Sequence, residues 1–260
     1  MSRNFELLQQ AGKGWEVPVL KEVKPSIPFP FAGRDKAVPV PVAPIASGDP
    51  MDQLAREEAL RLVQRIFFLQ TETPPKVVVF AGIDHGNGCS RICVRAAEAL
   101  QAHGQGAVCI VEGNFRSPSL PEVFGTTNHH GLTNALLGNA PIRSFAKPVR
   151  ADGMWLLSAG ALAPDSHGLL NSDRLKTRFD ELRNEFEYIL VDAPPLTRYS
   201  DAIALGRVAD GLVLVLEAHA TRREAALRIT ENLRATQVNL LGVVLNKRTF
   251  PIPESLYRSL

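Results

Sequence analysis

The chain has 260 residues, 45% of them hydrophobic and 22% charged, and 29 Lys and Arg against 27 Asp and Glu leave a formal charge of +2. That composition belongs to an ordinary globular protein, with no run near the roughly 18 apolar residues of a spanning helix and no apolar signal core at the start. So small a charge argues against nucleic acid as the main partner, and three cysteines without framework spacing fit a reducing cytoplasm better than a disulfide scaffold.

The first 50 residues hold eight of the 19 prolines. Phe5 and Leu8 suggest a helical stretch too short to stand alone. From residue 15 to 48, Pro18, Pro25, Pro28, Pro30, Pro39, Pro41 and Pro44 interrupt both kinds of backbone ladder, so residues 1–48 read as an extended arm. A passive linker and a docking arm both suit that composition; Trp15, Phe29 and Phe31 favour docking. Residues 49–250 read as one α/β domain, and residues 251–260 as a loose tail.

Asp49-Pro50 reads as an N-cap with proline at the first helical position, opening a helix to about Leu69 with Leu54, Leu60, Val63 and Phe67 as its apolar stripe. Lys76–Phe80 reads as a strand buried on both faces. A Gly-rich turn follows, then a helix from about Ser90 to His103 stopped by Gly104. Ala107–Val111 is a second strand, Leu132–Leu137 a short helix and Trp155–Leu157 a strand. Ser172 is placed to cap a helix carrying Leu175, Phe179, Leu182 and Phe186. Strand Tyr188–Val191, helix Asp201–Ala209 and strand Leu212–Leu216 come next. Thr221-Arg-Arg-Glu224 reads as a capping box for a helix to about Arg234, and Leu241–Leu245 as the last strand. Apolar strands alternating with amphipathic helices predict a doubly wound, mostly parallel sheet.

Ligands bind such sheets at the carboxyl ends of the strands. Gly82–Ser90 lies there as a strand, Gly-rich loop and helix, the setting of a phosphate-binding loop in which Gly86, Asn87 and Gly88 turn backbone N–H groups inward. Ser90 stands where a hydroxyl reaches Mg²⁺, and Asp192 where a carboxylate holds that ion through water. Position 89 of such a loop calls for lysine, a point charge for the outer phosphates; Cys89 supplies none. A helix N-terminus lowers a thiol pKa, so a redox-sensing Cys89 is one reading and an inert packing residue the other. His129-His130 lacks a third ligand at metal spacing, and His85 and Asp84 read as loop residues.

In this order of motifs, residues 52–260 resemble the cytoplasmic domain of the bacterial tyrosine kinases of capsule and exopolysaccharide synthesis, themselves similar to the cell-division and partition ATPases of the phosphate-loop NTPase superfamily. Asp192-Ala-Pro-Pro195 resembles the Asp-x-Pro-Pro of the kinase branch, and Phe115-Arg-Ser-Pro118 the end of its second acidic motif. Asn171-Ser-Asp-Arg174 and Thr221-Arg-Arg223 are similar to further family segments. The resemblance implies ATP or ADP with Mg²⁺ as ligands, held by Gly86, Asn87, Gly88, Cys89, Ser90 and Arg91. It implies an adenine contact from Asn246, and oligomerisation through Glu58 and Arg61 of Glu58-Ala-Leu-Arg61. It also implies a membrane polysaccharide co-polymerase as partner and a cytoplasmic place at the inner face of the membrane.

The departures shape the functional expectation. The family's acidic pair is Glu112 and Asn114 here; Glu112 is one methylene too long, and Asn114 cannot take a proton. The second arginine of the oligomerisation motif is Gln64, with Arg65 one step out of phase, and the C-terminal tyrosine cluster shrinks to Tyr257, a lone phosphoacceptor candidate. The expected protein is a degenerate kinase, a pseudokinase acting through contacts, with Asp192 left of the catalytic set. One rival is an active autokinase or ATPase in which Arg91 or a neighbouring subunit's arginine replaces the lysine. The other is a partition-type positioning ATPase, against which the absence of a basic amphipathic C-terminal helix counts.

Overall fold

The computed structural model describes residues 50–69, 73–104, 106–161, 166–170 and 172–248. The Pro-rich arm, the Asp49 cap, Asn171, Tyr257 and the C-terminal tail lie outside them. Helix α1 (Pro50–Val63) runs into a π-helical turn at Gln64–Phe68. There the predicted stripe changes phase. Val63, Ile66 and Phe67 are buried, whereas Leu54 is 44% exposed, so only the C-terminal half of the stripe packs. A π turn accommodates one extra residue, which puts Arg65 outside and Ile66 inside.

Strands β1 (Val77–Gly82), β2 (Val108–Glu112), β3 (Lys147–Pro148), β4 (Met154–Leu157), β5 (Tyr188–Ala193), β6 (Gly211–Glu217) and β7 (Leu240–Asn246) form one sheet in the order β3-β4-β2-β5-β1-β6-β7. All neighbours pair parallel except β3 with β4. The doubly wound parallel sheet expected from the alternating pattern is therefore present. β1 lies between β5 and β6; the chain leaves it towards β2 on one side and later reaches β6 on the other, and the crevice between such halves opens at the strand carboxyl ends.

Burial on both faces follows from residue parity. Val77, Val79 and Ala81 join a cluster with Leu175, Phe179 and Leu182, while Val78 and Phe80 join a second with Cys93, Ala97, Leu100 and Phe67. Helix α2 (Cys89–His103) covers the second face beside α1. On the first face lie α4 (Leu132–Leu137), α6 (Asp173–Glu185), α7 (Asp201–Val208) and α8 (Arg223–Ala235), with short α3 (Leu120–Val123) and α5 (Ser166–Leu170) in the connections. α3, α5, β3 and the 3₁₀ turn Ile142–Phe145 were not foreseen; each is too short to carry a period.

Two cap assignments are corrected. Ser172 is the residue before α6, but its hydroxyl donates to Leu169 O at 2.6 Å and caps nothing. α8 begins at Arg223 after Arg222, and Thr221 Oγ1 instead accepts the N–H of Glu217 at 2.9 Å, closing the turn after β6. In both, the hydroxyl takes a backbone partner on its N-terminal side in place of the helix N–H groups.

Arg178 does what composition could not announce. At 4% exposure it donates to the carbonyls of Ala135 (2.8 Å), Ala140 (3.0 Å) and Gly138 (2.6 Å) and pairs with Glu181 at 2.7 Å, tying α4 and the segment after it to α6. Truncation leaves those carbonyls without a donor. Arg178→Ala should therefore cost about 3–5 kcal/mol, measured by urea denaturation, whereas the exposed Arg61→Ala should stay within about 0.5 kcal/mol of the parent.

Candidate functional site: a phosphate loop over two buried carboxylates

The loop after β1 has the shape of an anion cradle. Gly86 and Gly88 both take φ +84°, a left-handed conformation that side chains resist, and Gly88 is the residue preceding α2. A Cβ on Gly88 would also stand 2.4 Å from Asn246 Nδ2. Among the described residues, the N–H groups of Asn87 to Arg91 form no hydrogen bond, and with the helix dipole they present partial positive charge to the cleft.

Two asparagines hold this loop. Asn87, 3% exposed, donates from Nδ2 to Val215 O at 2.9 Å and lies against Gly82, where a Cβ would come within 2.3 Å of its amide. Asn246, at the end of β7, donates from Nδ2 to Asn87 O at 2.7 Å. The residue expected at adenine thus latches the loop to the sheet. Asp84 is tied as well, accepting from Thr197 Oγ1 at 2.8 Å.

Beneath the loop, Glu112 and Asp192 stand opposite each other on β2 and β5 at 0% and 1% exposure. Glu112 is fully engaged. Its Oε1 accepts the N–H of Asn114 (3.2 Å), and its Oε2 those of Ser119 (2.8 Å) and Leu120 (2.9 Å), the start of α3. Burial raises its pKa to about 8, Asp192 adds to the rise, and the three N–H donors oppose it. Asp192 is raised to about 6 by burial, with Ser90 and Cys89 beside it pulling back. Neither oxygen of Asp192 completes a hydrogen bond. A buried carboxylate with only the Ser90 hydroxyl and the Cys89 thiol beside it is a hard-oxygen set that fits Mg²⁺.

The burial of Cys89 counts against its redox reading. Its thiol is buried, and desolvation followed by the charge of Asp192 pushes its pKa well above the ordinary value. Cys93 is raised likewise, by burial and then by Asp192 and Glu112. The helix dipole loses to burial beside carboxylates, so position 89 carries a neutral thiol where the cradle calls for a cation.

A cleft of about 540 Å³ runs over the loop, lined also by His85, Arg91, Arg95, Glu98, Asn114, Val123 and Pro195. Arg95 is engaged by Asp52 of α1, itself paired with Arg56 at 2.9 Å, and Glu98 by Arg150. Arg91 is exposed and has no ion pair among the described residues. Asn114 closes its own turn through Ser117 N (3.2 Å) and Ser117 O (3.1 Å). Arg116 stacks 4.2 Å over Tyr199 and lies 3.5 Å from Asp201. Glu58 and Arg61 form an exposed pair at 2.6 Å on α1 and do not line the cleft. His129 and His130 are exposed, and no group of three metal-binding side chains occurs among the described residues. Sequence reading missed the Asp52–Arg95 bond, which joins residues 43 positions apart and leaves no local signal.

Comparison with known proteins agrees with this geometry. Residues 75–258 match the ParA family model, described as NUBPL iron-transfer P-loop NTPase. Tyrosine-protein kinase YwqD of Bacillus subtilis is 27% identical over 193 residues, 74% of this chain and 81% of that one. The kinase domain of Escherichia coli tyrosine kinase ETK superposes with a TM-score of 0.70 at 22% identity, covering 76% of this chain and 78% of that one. The chimerical protein CapA2B2 gives 0.68 at 22% identity, over 78% and 87%. At such identity the structural likeness speaks for the fold, and it agrees with the fold expected from the motifs.

Two outcomes follow for the buried groups. At neutral pH, iodoacetamide should modify Cys89 in the native protein no faster than Cys109, whose thiol burial raises to about 12. Glu112 holds its proton more tightly folded than unfolded, so its contribution is fully favourable below its ordinary pKa of 4.5 and is lost as pH rises through about 8. Stability measured by chemical denaturation should therefore fall across that window, and Glu112→Gln should flatten the fall even if it lowers the whole curve.

Proposed function

The chain belongs to the ParA family of P-loop NTPases, and we propose that it is a degenerate kinase-like member that works through contacts instead of phosphoryl transfer. The observation that carries this reading is the neutral thiol of Cys89 over the Glu112–Asp192 pair. With pKa values of about 8 and 6, the pair carries about one negative charge at neutral pH and meets no lysine at position 89. Phosphoryl transfer is positioning plus stabilisation of charge on the outer phosphates, and this floor adds charge of the wrong sign. Glu112 supports the reading again, because three backbone donors already occupy it. Asn114 has no basic group for a proton.

The cradle itself is kept. Gly86, Gly88 and the N–H groups ahead of α2 suit the phosphates of ATP or ADP, with Ser90 and Asp192 as the Mg²⁺ side. The ion would supply charge for the phosphates, and the binding would be weak. In this reading the protein serves capsule or exopolysaccharide synthesis, docked on the cytosolic part of a membrane polysaccharide co-polymerase. No helix among the described residues is long and apolar enough to cross a membrane. Contacts would come from the Pro-rich arm, and Glu58 and Arg61 would serve an oligomer.

One observation favours the active rival: Arg91 projects at the cleft without an ion pair among the described residues. Thermal-shift titration with Mg-ATP and Mg-ADP, alongside phosphate release, separates the two. Saturation at about 100 dissociation constants stabilises a fold by about 2.7 kcal/mol. The unmodified chain should show a small shift and no turnover, and Cys89→Lys a larger shift, its ammonium facing Asp192. A large shift with turnover that Arg91→Ala abolishes would establish the rival instead.

A further inference from the structure

Two arginines of α2 line the cleft, Arg91 and Arg95, one turn apart and so on one face of the helix. Their surroundings differ. Arg91 is exposed, whereas the Arg95 side chain is 11% exposed and donates from Nη2 to Oδ1 of Asp52 on α1, itself 12% exposed. Among the described residues this is the ion pair that joins the two helices. The cradle calls for a cation at position 89 and finds a thiol, while a shielded cation on the same wall is held by a carboxylate from outside the cleft.

Three features make that pairing exchangeable. Asp52 has a second partner, Arg56 at 2.9 Å one turn along α1, so departure of Arg95 does not strand its charge. The side chains from Gln53 to Glu58 are all exposed and apolar packing begins at Ala59, so the first turns of α1 lean on the ion pair more than on the core. Arg95 is also placed to turn. Helix side chains tilt toward the N-terminus, and Ser90 lies five residues before it, about 7.5 Å along the axis, a length that an extended arginine side chain covers.

We infer that Arg95 is the phosphate-binding cation of this cleft and that Asp52 is its competitor within the chain. The inference rests on the nucleotide reading of the cradle. Without ligand the guanidinium pairs with Asp52; a diphosphate or triphosphate on the loop draws it across, and Asp52 keeps Arg56. Shielding from water strengthens its attraction to phosphate beyond that of exposed Arg91, and its planar fork suits two phosphate oxygens. The contact reads phosphate and not base, so inorganic pyrophosphate should respond as ADP does.

Calorimetric titration of the full chain with Mg-ADP and with Mg-pyrophosphate tests this. Asp52→Asn should tighten both at least about fivefold, the gain of a charge-assisted contact, and adding Arg95→Gln should remove that gain. Glu57→Gln, which deletes another negative charge of α1, should change neither affinity by as much as about twofold. In the unmodified chain the ¹⁵N signal of Arg95 Nε should shift as Mg-pyrophosphate binds. A pair that merely fastened α1 would behave otherwise, with Asp52→Asn lowering stability and leaving affinity unchanged. A gain that survives Arg95→Gln, or that Glu57→Gln reproduces, is a field effect and overturns the proposal. So does an unmoved Arg95 signal on saturation, or no gain in Asp52→Asn while Cys89→Lys binds. Should Cys89→Lys bind neither probe, the nucleotide reading itself falls and takes the inference with it.

Discussion

Two buried carboxylates stand side by side on adjacent strands at the carboxyl end of the sheet. Register alone puts them there, Glu112 across from Asp192 where β2 and β5 end beneath the loop. Each raises the cost of ionising the other, and burial raises it further, so the floor of the cleft keeps a proton at neutral pH. Glu112 is tolerable because backbone donors surround it. Asp192 has no such backbone donors, so its burial is the costlier of the two. Burial keeps the thiols of Cys89 and Cys93 neutral, and the charge of Asp192 beside them adds to the effect.

The same pair connects chemistry with architecture. By holding the N–H groups of Ser119 and Leu120, Glu112 becomes the cap of α3 and determines where the segment from Asn114 to Val123 closes the cleft. On the opposite wall the loop hangs from β6 and β7 through Asn87 and Asn246. Asp52 of α1 occupies Arg95, so an arginine facing the cleft is discharged by a helix outside it. The loop thus keeps the backbone shape of an anion cradle, while Arg95 and Glu98 in the cleft lining are paired with Asp52 and Arg150.

Much of the fold was legible because period and length suffice for it. β1, β5 and β6 are continuous apolar runs, and α2 and α6 carry stripes at helical spacing with glycine or serine near their ends. The phosphate loop was legible for a related reason: glycines at 86 and 88 between a strand and a helix leave the backbone few alternatives. Capping was misread at Ser172 and Thr221, where motifs assume that a hydroxyl turns to its own helix; here nearer carbonyl and N–H groups of the preceding turn won. The partners of Glu112 were not legible, since no local signal reveals that three N–H groups up to eight positions away converge on it.

What the sequence determined by itself is the order of buried strands and amphipathic helices, the positions of glycine and the absence of lysine at 89, because each depends on residue identity and short spacing. What only the tertiary structure decided is the state of the groups that those elements bring together. Cys89 is a neutral thiol because burial and Asp192 outweigh the helix dipole, and Asn246 is a latch because β7 lies beside the loop. Arg178 is a buried clamp because α4 and α6 converge on it. A pKa and a hydrogen-bond partner are properties of surroundings, and surroundings drawn from residues 40 to 160 positions apart exist only once the chain has folded.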